Sequence, residues 1–355
     1  MSDFGFRDRV AVIVGALMLL TFSPACKAQA QDASEPTIST SAADKAAAGD
    51  ATNLYHRGQP TNSPDGKAAR GEGLLVQHSS SAGGAKSADS SGHGGVRYPA
   101  DLSYQGGAVV DSAQSHAIYL LPNGKCRISA CWGNPEGFLK DLSESDFIHL
   151  VDQYIGLSAS ERYTLGSAAK LSYVPPAVPF TDADMLAVVH AVAVATGKSG
   201  YGHIFHVFLP PGQDECFTSA FTVCYSPDNP KTFAFCAYHG SVDFTDIGHV
   251  LYSVEPFQNV PGCQVRPGTP NGQLRDSTNS VLSHELFETI TDPDGTAWWN
   301  STDNGIFGEE IGDECSFVTF TSTNAYFDPF VFQIEDKSYA TQPEYSNALH
   351  ACSVH

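Results

Sequence analysis

Positive charge is scarce in this 355-residue chain: 19 Lys and Arg stand against 39 Asp and Glu, for a formal net charge of -20 and a pI near 4.8. That balance repels phosphate backbones and anionic membrane surfaces, so nucleic acid is not an expected partner. After the first 22 residues there is no long apolar run, and the mature chain should have no integral membrane segment. Cys-x-x-Cys spacing is missing, which argues against a Cys-rich zinc site. G-x-S-x-G, P-loop and dinucleotide fingerprints are absent from any usable context, which removes the common serine-hydrolase and nucleotide chemistries. There is no EF-hand loop and no internal repeat.

What is present begins with an export signal over residues 1–30. Arg7 and Arg9 precede the apolar run from Val10 to Phe22, and Ala28-Gln29-Ala30 supplies a small-residue cleavage sequence. The mature protein is therefore expected to be secreted, either extracellular or periplasmic. Of nine cysteines, Cys26 leaves with the signal, and the remaining eight suit an oxidising compartment. Eight cysteines allow 105 connectivities. Proximity along the chain favours Cys126 with Cys131 and Cys216 with Cys224, which would leave Cys236 with Cys263 and Cys315 with Cys352.

Residues 31–100 are rich in Ala, Ser, Gly, Asp and Lys and read as a low-complexity flexible leader, with His56, His78 and His93 as incidental polar residues. Residues 101–355 carry most of the aromatics and all eight mature cysteines and read as one α/β domain. Ala117 to Leu121, Ile204 to Leu209, Phe233 to Tyr238 and His249 to Val254 are predicted strands. Later segments, Phe317 to Phe320 and Tyr326 to Ile334, are predicted as further strands. Helices are predicted over Ser143 to Ile155 and over Asp182 to Ala195, the latter opening with Thr181 and Asp184 as a capping pair. The expected architecture is a disulfide-stapled mixed β-sheet flanked by helices.

Chemistry concentrates in Ser283-His284-Glu285-Leu286-Phe287-Glu288-Thr289-Ile290-Thr291-Asp292-Pro293. If residues 277–291 are helical, His284 and Glu288 stand at i, i+4 and project from neighbouring turns of one face, able to share one metal. The pattern is close to the zincin helix H-E-x-x-H, with Glu288 in place of the second His and Glu285 in the place of the general base. A second acidic cluster, Glu309-Glu310-Ile311-Gly312-Asp313-Glu314-Cys315, follows at a distance similar to that from which gluzincins draw their third ligand. Glu310 or Asp313 is the expected third ligand, and zinc, or another divalent cation, the expected cofactor. The competing reading is bland: Val281, Leu282, Leu286, Phe287 and Ile290 mostly take one side of the helix, and His284, Glu285 and Glu288 the other, which is also how a solvated face looks. A carboxylate pair of Glu285 or Glu288 with Asp313 would suit a glycosidase if the two faced each other.

His203 and His206 should point to opposite faces of a strand and serve structure, whereas His239 is the further ligand or acid candidate. Trp298 and Trp299, if exposed, would suit carbohydrate contact.

Jointly, Leu102-Ser103-Tyr104-Gln105-Gly106-Gly107-Ala108-Val109, Cys236-Ala237-Tyr238-His239-Gly240, Pro261-Gly262-Cys263, Pro270-Asn271-Gly272, the His284 segment, Ala297-Trp298-Trp299 and Glu310-Ile311-Gly312-Asp313-Glu314-Cys315 form an ordered set. Over roughly residues 102–350 this set resembles the EXORDIUM or phosphate-induced protein family, secreted proteins best known from plant cell walls, with divergent bacterial relatives. The resemblance implies an extracellular protein and supplies no reaction. Two expectations follow: a secreted metal-dependent hydrolase acting on a peptide or cell-wall polymer, or a noncatalytic wall-associated protein with a structural metal site or none.

Overall fold

Runs of apolar residues with a period of two build a six-stranded mixed sheet. Its strands are β1 (Thr52–His56), β2 (Ala113–Pro122), β3 (Tyr163–Tyr173), β4 (His203–Phe208), β5 (Tyr238–Phe244) and β6 (Gly248–Glu255), ordered β1-β5-β6-β4-β2-β3. Strands β6, β4, β2 and β3 are mutually parallel, and β5 runs antiparallel between β6 and β1. The computed structural model describes residues 52–56, 101–300, 310–315, 320–321 and 326–355, all within the second of two compact units, Met1–Ser34 and Glu35–His355. The expected signal peptide and, apart from β1, the leader lie outside the described residues. Within the segment read as a leader, Thr52–His56 pairs through its backbone with β5.

Helices cover both faces of the sheet. Pro135 at the first helical position and the Asn134 side chain, which accepts from the Gly137 amide at 3.3 Å, start α1 (Pro135–Leu142). The helix predicted over Ser143 to Ile155 is instead a 3-10 turn, Phe147–Val151, followed by one α-turn, Asp152–Ile155. Ahead of the 3-10 turn the Ser145 hydroxyl accepts from the Ile148 amide at 3.3 Å. The α2 helix (Asp182–Thr196) carries the expected capping box of Thr181 and Asp184 and stops at Gly197, in the left-handed region at φ 65°. The α3 helix (Gln273–Thr291) begins four residues before the predicted start and ends before Pro293 as predicted.

The period of two divides the strand side chains between two cores. On one side Ile118, Leu120, Phe205, Val207, Val242, Tyr252 and Val254 pack with Met185, Val189 and Val192 of α2. On the other, Ala117, Tyr119, Ile204, Phe208 and Leu251 pack with Phe138 of α1 and Leu282, Leu286, Phe287 and Ile290 of α3. One strand boundary and one whole strand depart from expectation. Phe233 to Ala237 precede β5 rather than forming it, and Cys236 is bonded to Cys263. Strand β3 was not anticipated, because its small and polar residues are only half buried beside a single neighbour.

All four disulfides have the expected partners: Cys126–Cys131, Cys216–Cys224, Cys236–Cys263 and Cys315–Cys352. The last fastens the acidic segment after Glu310 to the hairpin of Glu344–Ser346 with Ala351–Ser353. A second hairpin, β7 (Phe330–Ile334) with β8 (Lys337–Thr341), lies along α3. No helix among the described residues is long and apolar enough to cross a membrane.

Candidate metal centre

The polar side of α3 is not solvated. His284, Glu285 and Glu288 each have no exposed surface, which overturns the surface reading of the helical wheel. One flank of the helix packs against the aromatic core, where Phe287 meets Phe147 with ring centroids 4.7 Å apart. The other faces β5 and β6, and β8 closes over it. Because strands alternate, β5 turns His239, Ser241 and Asp243 toward α3, and β6 turns Ser253 and Glu255 the same way. His239 is the second residue of β5.

Three approaches define the centre. The Glu288 carboxylate reaches two imidazoles at once: Oε1 lies 3.1 Å from Nε2 of His284, and Oε2 lies 3.4 Å from Nδ1 of His239. Glu285, one turn back, sets Oε2 at 3.5 Å from the same His239 nitrogen. Asp313 approaches from the acidic segment, with Oδ1 at 3.6 Å from His284 Nε2, while its backbone amide donates to Glu288 Oε1 at 3.1 Å. Two sets therefore have one donor atom per residue within 4.8 Å of one another, and could each hold a metal ion: His284, Glu288 and Asp313, and His239, Glu285 and Glu288.

The surroundings fix these side chains. The Gln342 amide nitrogen lies 2.8 Å from His284 Nδ1 and donates to the Gly312 carbonyl at 2.9 Å. Gly312 must be glycine for a reason of space, since a Cβ there would stand 2.4 Å from His284 Nδ1. His239 Nε2 faces the Asp292 carbonyl at 3.4 Å. Asp292 itself ends α3, its Oδ1 accepting from the Thr296 and Ala297 amides at 2.7 Å each. The turn that follows delivers Asn300, which donates to Glu314 at 2.6 Å.

The charge balance is one-sided. Glu255, Glu285, Glu288, Glu310, Asp313 and Glu344 are all buried, and among the described residues no Lys or Arg is buried anywhere. Both oxygens of Glu285 and of Glu344, Oε2 of Glu288 and Nε2 of His284 are shielded from solvent with no hydrogen-bond partner. Burial, and then the neighbouring Glu288, Glu255, Asp313 and Glu344, push the Glu285 carboxyl well above the ordinary range. Burial and Glu288 do the same to Glu344. Burial alone would lower the His284 imidazole, but Glu288 and Asp313 outweigh it and raise it to about 9. Burial alone would raise Glu288, yet the His284 and His239 rings hold it below the usual carboxylate range. Each ionised carboxylate here carries a desolvation cost that histidines alone do not offset.

Of the residues singled out from sequence, His284, Glu288 and Asp313 come together. Glu285 falls in the second set, and His239 joins it. Glu310 belongs to neither set, its Oε1 lying 3.9 Å from His239 Nε2. His203 and His206 do take opposite faces: His203 meets His116 at 3.0 Å, and His206 is buried against the Ser253 hydroxyl at 2.8 Å. Sequence reasoning missed Gln342, Glu344 and Glu255. The last was within reach, since it stands one residue past the predicted strand His249 to Val254, in step with Leu251 and Ser253. The tryptophans do not form an exposed pair. Both are half-buried, and Trp298 donates to the Tyr154 carbonyl at 2.7 Å and packs against the Tyr104 and Tyr154 rings. In comparisons with known proteins the chain matches no family model, no curated protein and no solved structure, so the chemistry of this centre has to be argued from its own side chains.

Proposed function

We propose that this protein is a secreted, EXORDIUM-like, metal-dependent hydrolase, in which His284, Glu288 and Asp313 hold a divalent cation. The observation that carries this reading is the burial of six carboxylates around His284 and His239 with no Lys or Arg buried among the described residues, both oxygens of Glu285 lacking any hydrogen-bond partner. The donors fit a cation chemically: imidazole and carboxylate without thiolate is a set that zinc accepts, and three protein donors leave a position for water or substrate. Bound there, a divalent cation supplies Lewis-acid activation of water and polarisation of a scissile carbonyl. Glu288 and Asp313 face the His284 Nε2 from one side; with a cation there Nδ1 would carry the ring proton, and the Gln342 side-chain amide beside it would turn its oxygen to accept. Glu285 stands one turn back on the same helix and, with one cation present, is the carboxylate available to take the proton from water. A peptide or a cell-wall polymer is the substrate class.

The second reading is a noncatalytic extracellular protein with a structural ion, favoured by the complete burial of His284 and Glu288. Its carbohydrate-contact version loses support from the packing of Trp298.

The test is metal content by inductively coupled plasma mass spectrometry on the mature protein, beside His284→Ala and Asp313→Asn, followed by hydrolysis assays on peptide and wall-polymer substrates. Zinc retained by the wild type and reduced in both variants, with turnover that fails in Glu285→Gln, is expected. No metal in the wild type after zinc reconstitution would sink the proposal. Bound metal with no turnover on any substrate would favour the structural ion.

A further inference from the structure

We infer that the centre holds two cations, the second between His239, Glu285 and Glu288, with the Glu288 carboxylate bridging the pair. This rests on the metal-centre reading above and deepens it. The two Glu288 oxygens face different histidines, Oε1 toward His284 and Oε2 toward His239, which is the disposition of a carboxylate that gives one oxygen to each of two ions. Donor spacing agrees. For ligands about 2.0–2.1 Å from a tetrahedral ion, neighbouring donors stand roughly 3.3–3.4 Å apart. The His239 nitrogen lies 3.5 Å from Glu285 and 3.4 Å from Glu288, and His284 lies 3.1 Å from Glu288 and 3.6 Å from Asp313.

A second, independent observation is Glu285 itself. It is wholly buried and both of its oxygens lack a hydrogen-bond partner, a costly state that a cation beside His239 relieves. The backbone also orients His239 as a ligand. Its Nε2 faces the Asp292 carbonyl, which keeps the proton on that nitrogen and presents Nδ1 to the carboxylates. Two ions bridged in this way stand about 3.5–4 Å apart, the separation of two-metal hydrolytic sites. With the second position filled Glu285 is a ligand, so its loss should remove a cation and not only a proton acceptor.

The experiment is zinc stoichiometry of the full mature chain, wild type against His239→Gln, Glu285→Gln, His284→Ala and Asp313→Asn, with circular dichroism to confirm folding. A parallel reconstitution with manganese(II) is read by electron paramagnetic resonance. Expected are two zinc per wild-type chain, one in each variant, and an exchange-coupled manganese spectrum in the wild type only. One zinc per chain that survives His239→Gln and Glu285→Gln, with a manganese spectrum of isolated ions, overturns the second position and leaves the first intact. No zinc in any form overturns both. If His239→Gln does not fold, Glu285→Gln and the wild-type manganese spectrum decide the question alone.

Discussion

The two faces of the central sheet are both dry and differ in how their buried carboxylates are met. Beneath α2, Met185, Val189 and Val192 meet Phe205, Val207 and Val254, and each buried carboxylate finds a tyrosine donor: the Tyr238 and Tyr252 hydroxyls donate to Asp182 Oδ1 at 2.9 and 3.0 Å, and Tyr238 also to Glu215 Oε1 at 3.1 Å, with Glu215 Oε2 alone left over. Beneath α3, neither oxygen of Glu285 finds one. Apolar burial stabilises the first face directly. The second face stores a desolvation cost that protein groups leave uncompensated, and the missing partner on that reading is a cation. Dryness alone therefore says little about what a layer is for; the presence or absence of donors to its carboxylates says more.

The comparison breaks most sharply under chelation. A cation present at a thousandfold its Kd contributes about 4 kcal/mol to folding, so a chelator should lower the melting temperature of the wild type by that equivalent. Met185→Ala, in the α2 core with no exposed surface, should cost about 2–5 kcal/mol, and the cost should be the same with and without chelator. Calorimetry of both proteins in both conditions checks this. If chelation leaves the wild-type transition where it was, the α3 face holds no cation and Glu285 and Glu344 are protonated in the working protein.

A smaller change sharpens the same contrast at one atom. Gly312→Ala sets a methyl group 2.4 Å from His284 Nδ1, and the ring has to move. Overpacking of this kind costs about 1–3 kcal/mol, and the displaced Nε2 should weaken the position shared with Asp313 while leaving the one at His239. Mass spectrometry should then find one zinc per chain where the wild type holds two. Stoichiometry unchanged from wild type would show that the His284 ring has room to shift without losing its ligand role.

Why part of this was legible in sequence follows from how local each signal is. The α2 start is written in Thr181 and Asp184, three residues apart, and the end of α3 in Pro293. Two disulfides, Cys126–Cys131 and Cys216–Cys224, were read from proximity along the chain, and the other two from what remained. The burial of His284 and Glu285 was not legible, because a helical wheel shows which residues share a side and not what covers it. The cover comes from β8, Gln342 and Glu344, far along the chain and held near by Cys315–Cys352. Asp313 and Glu310 looked equivalent as sequence. A helical turn over Asp313–Cys315 sends the Asp313 amide and carboxylate to Glu288 and His284, and leaves Glu310 beside His239. Strand β5 was misplaced because Phe233 to Ala237 are apolar enough for a strand but are committed to a disulfide-bound loop.

The smallest expected effect lies at the open edge of the α3 face, where the carboxylates do have donors. His249 stands between Asp243, 2.8 Å from Nδ1, and Asp294, 3.2 Å from Nε2, with the Tyr201 ring stacked on it and the Tyr201 hydroxyl donating to Asp294. Burial alone would lower the imidazole, but the hydrogen bonds and charges of Asp294 and Asp243 raise it above 6.5. Burial alone would raise Asp294, and hydrogen bonds from His249, Ser241 and Tyr201 bring it below 3.8. The His249 contribution is therefore fully present below pH 6.5 and is lost as pH rises through its raised folded value. The Asp294 contribution is present above 3.8 and is lost as pH falls through its depressed one. With about a fifth of each side chain exposed, the pair is worth about 0.3–1 kcal/mol. His249→Gln should lie below the wild type by that amount at pH 5–6, and the gap should close as pH rises, with chelator making no difference to it. Thermal melts across that range give the answer. A gap that stays constant with pH would mean that the imidazole titrates alike in the folded and unfolded chains, so that Asp243 and Asp294 touch His249 without favouring its charged form.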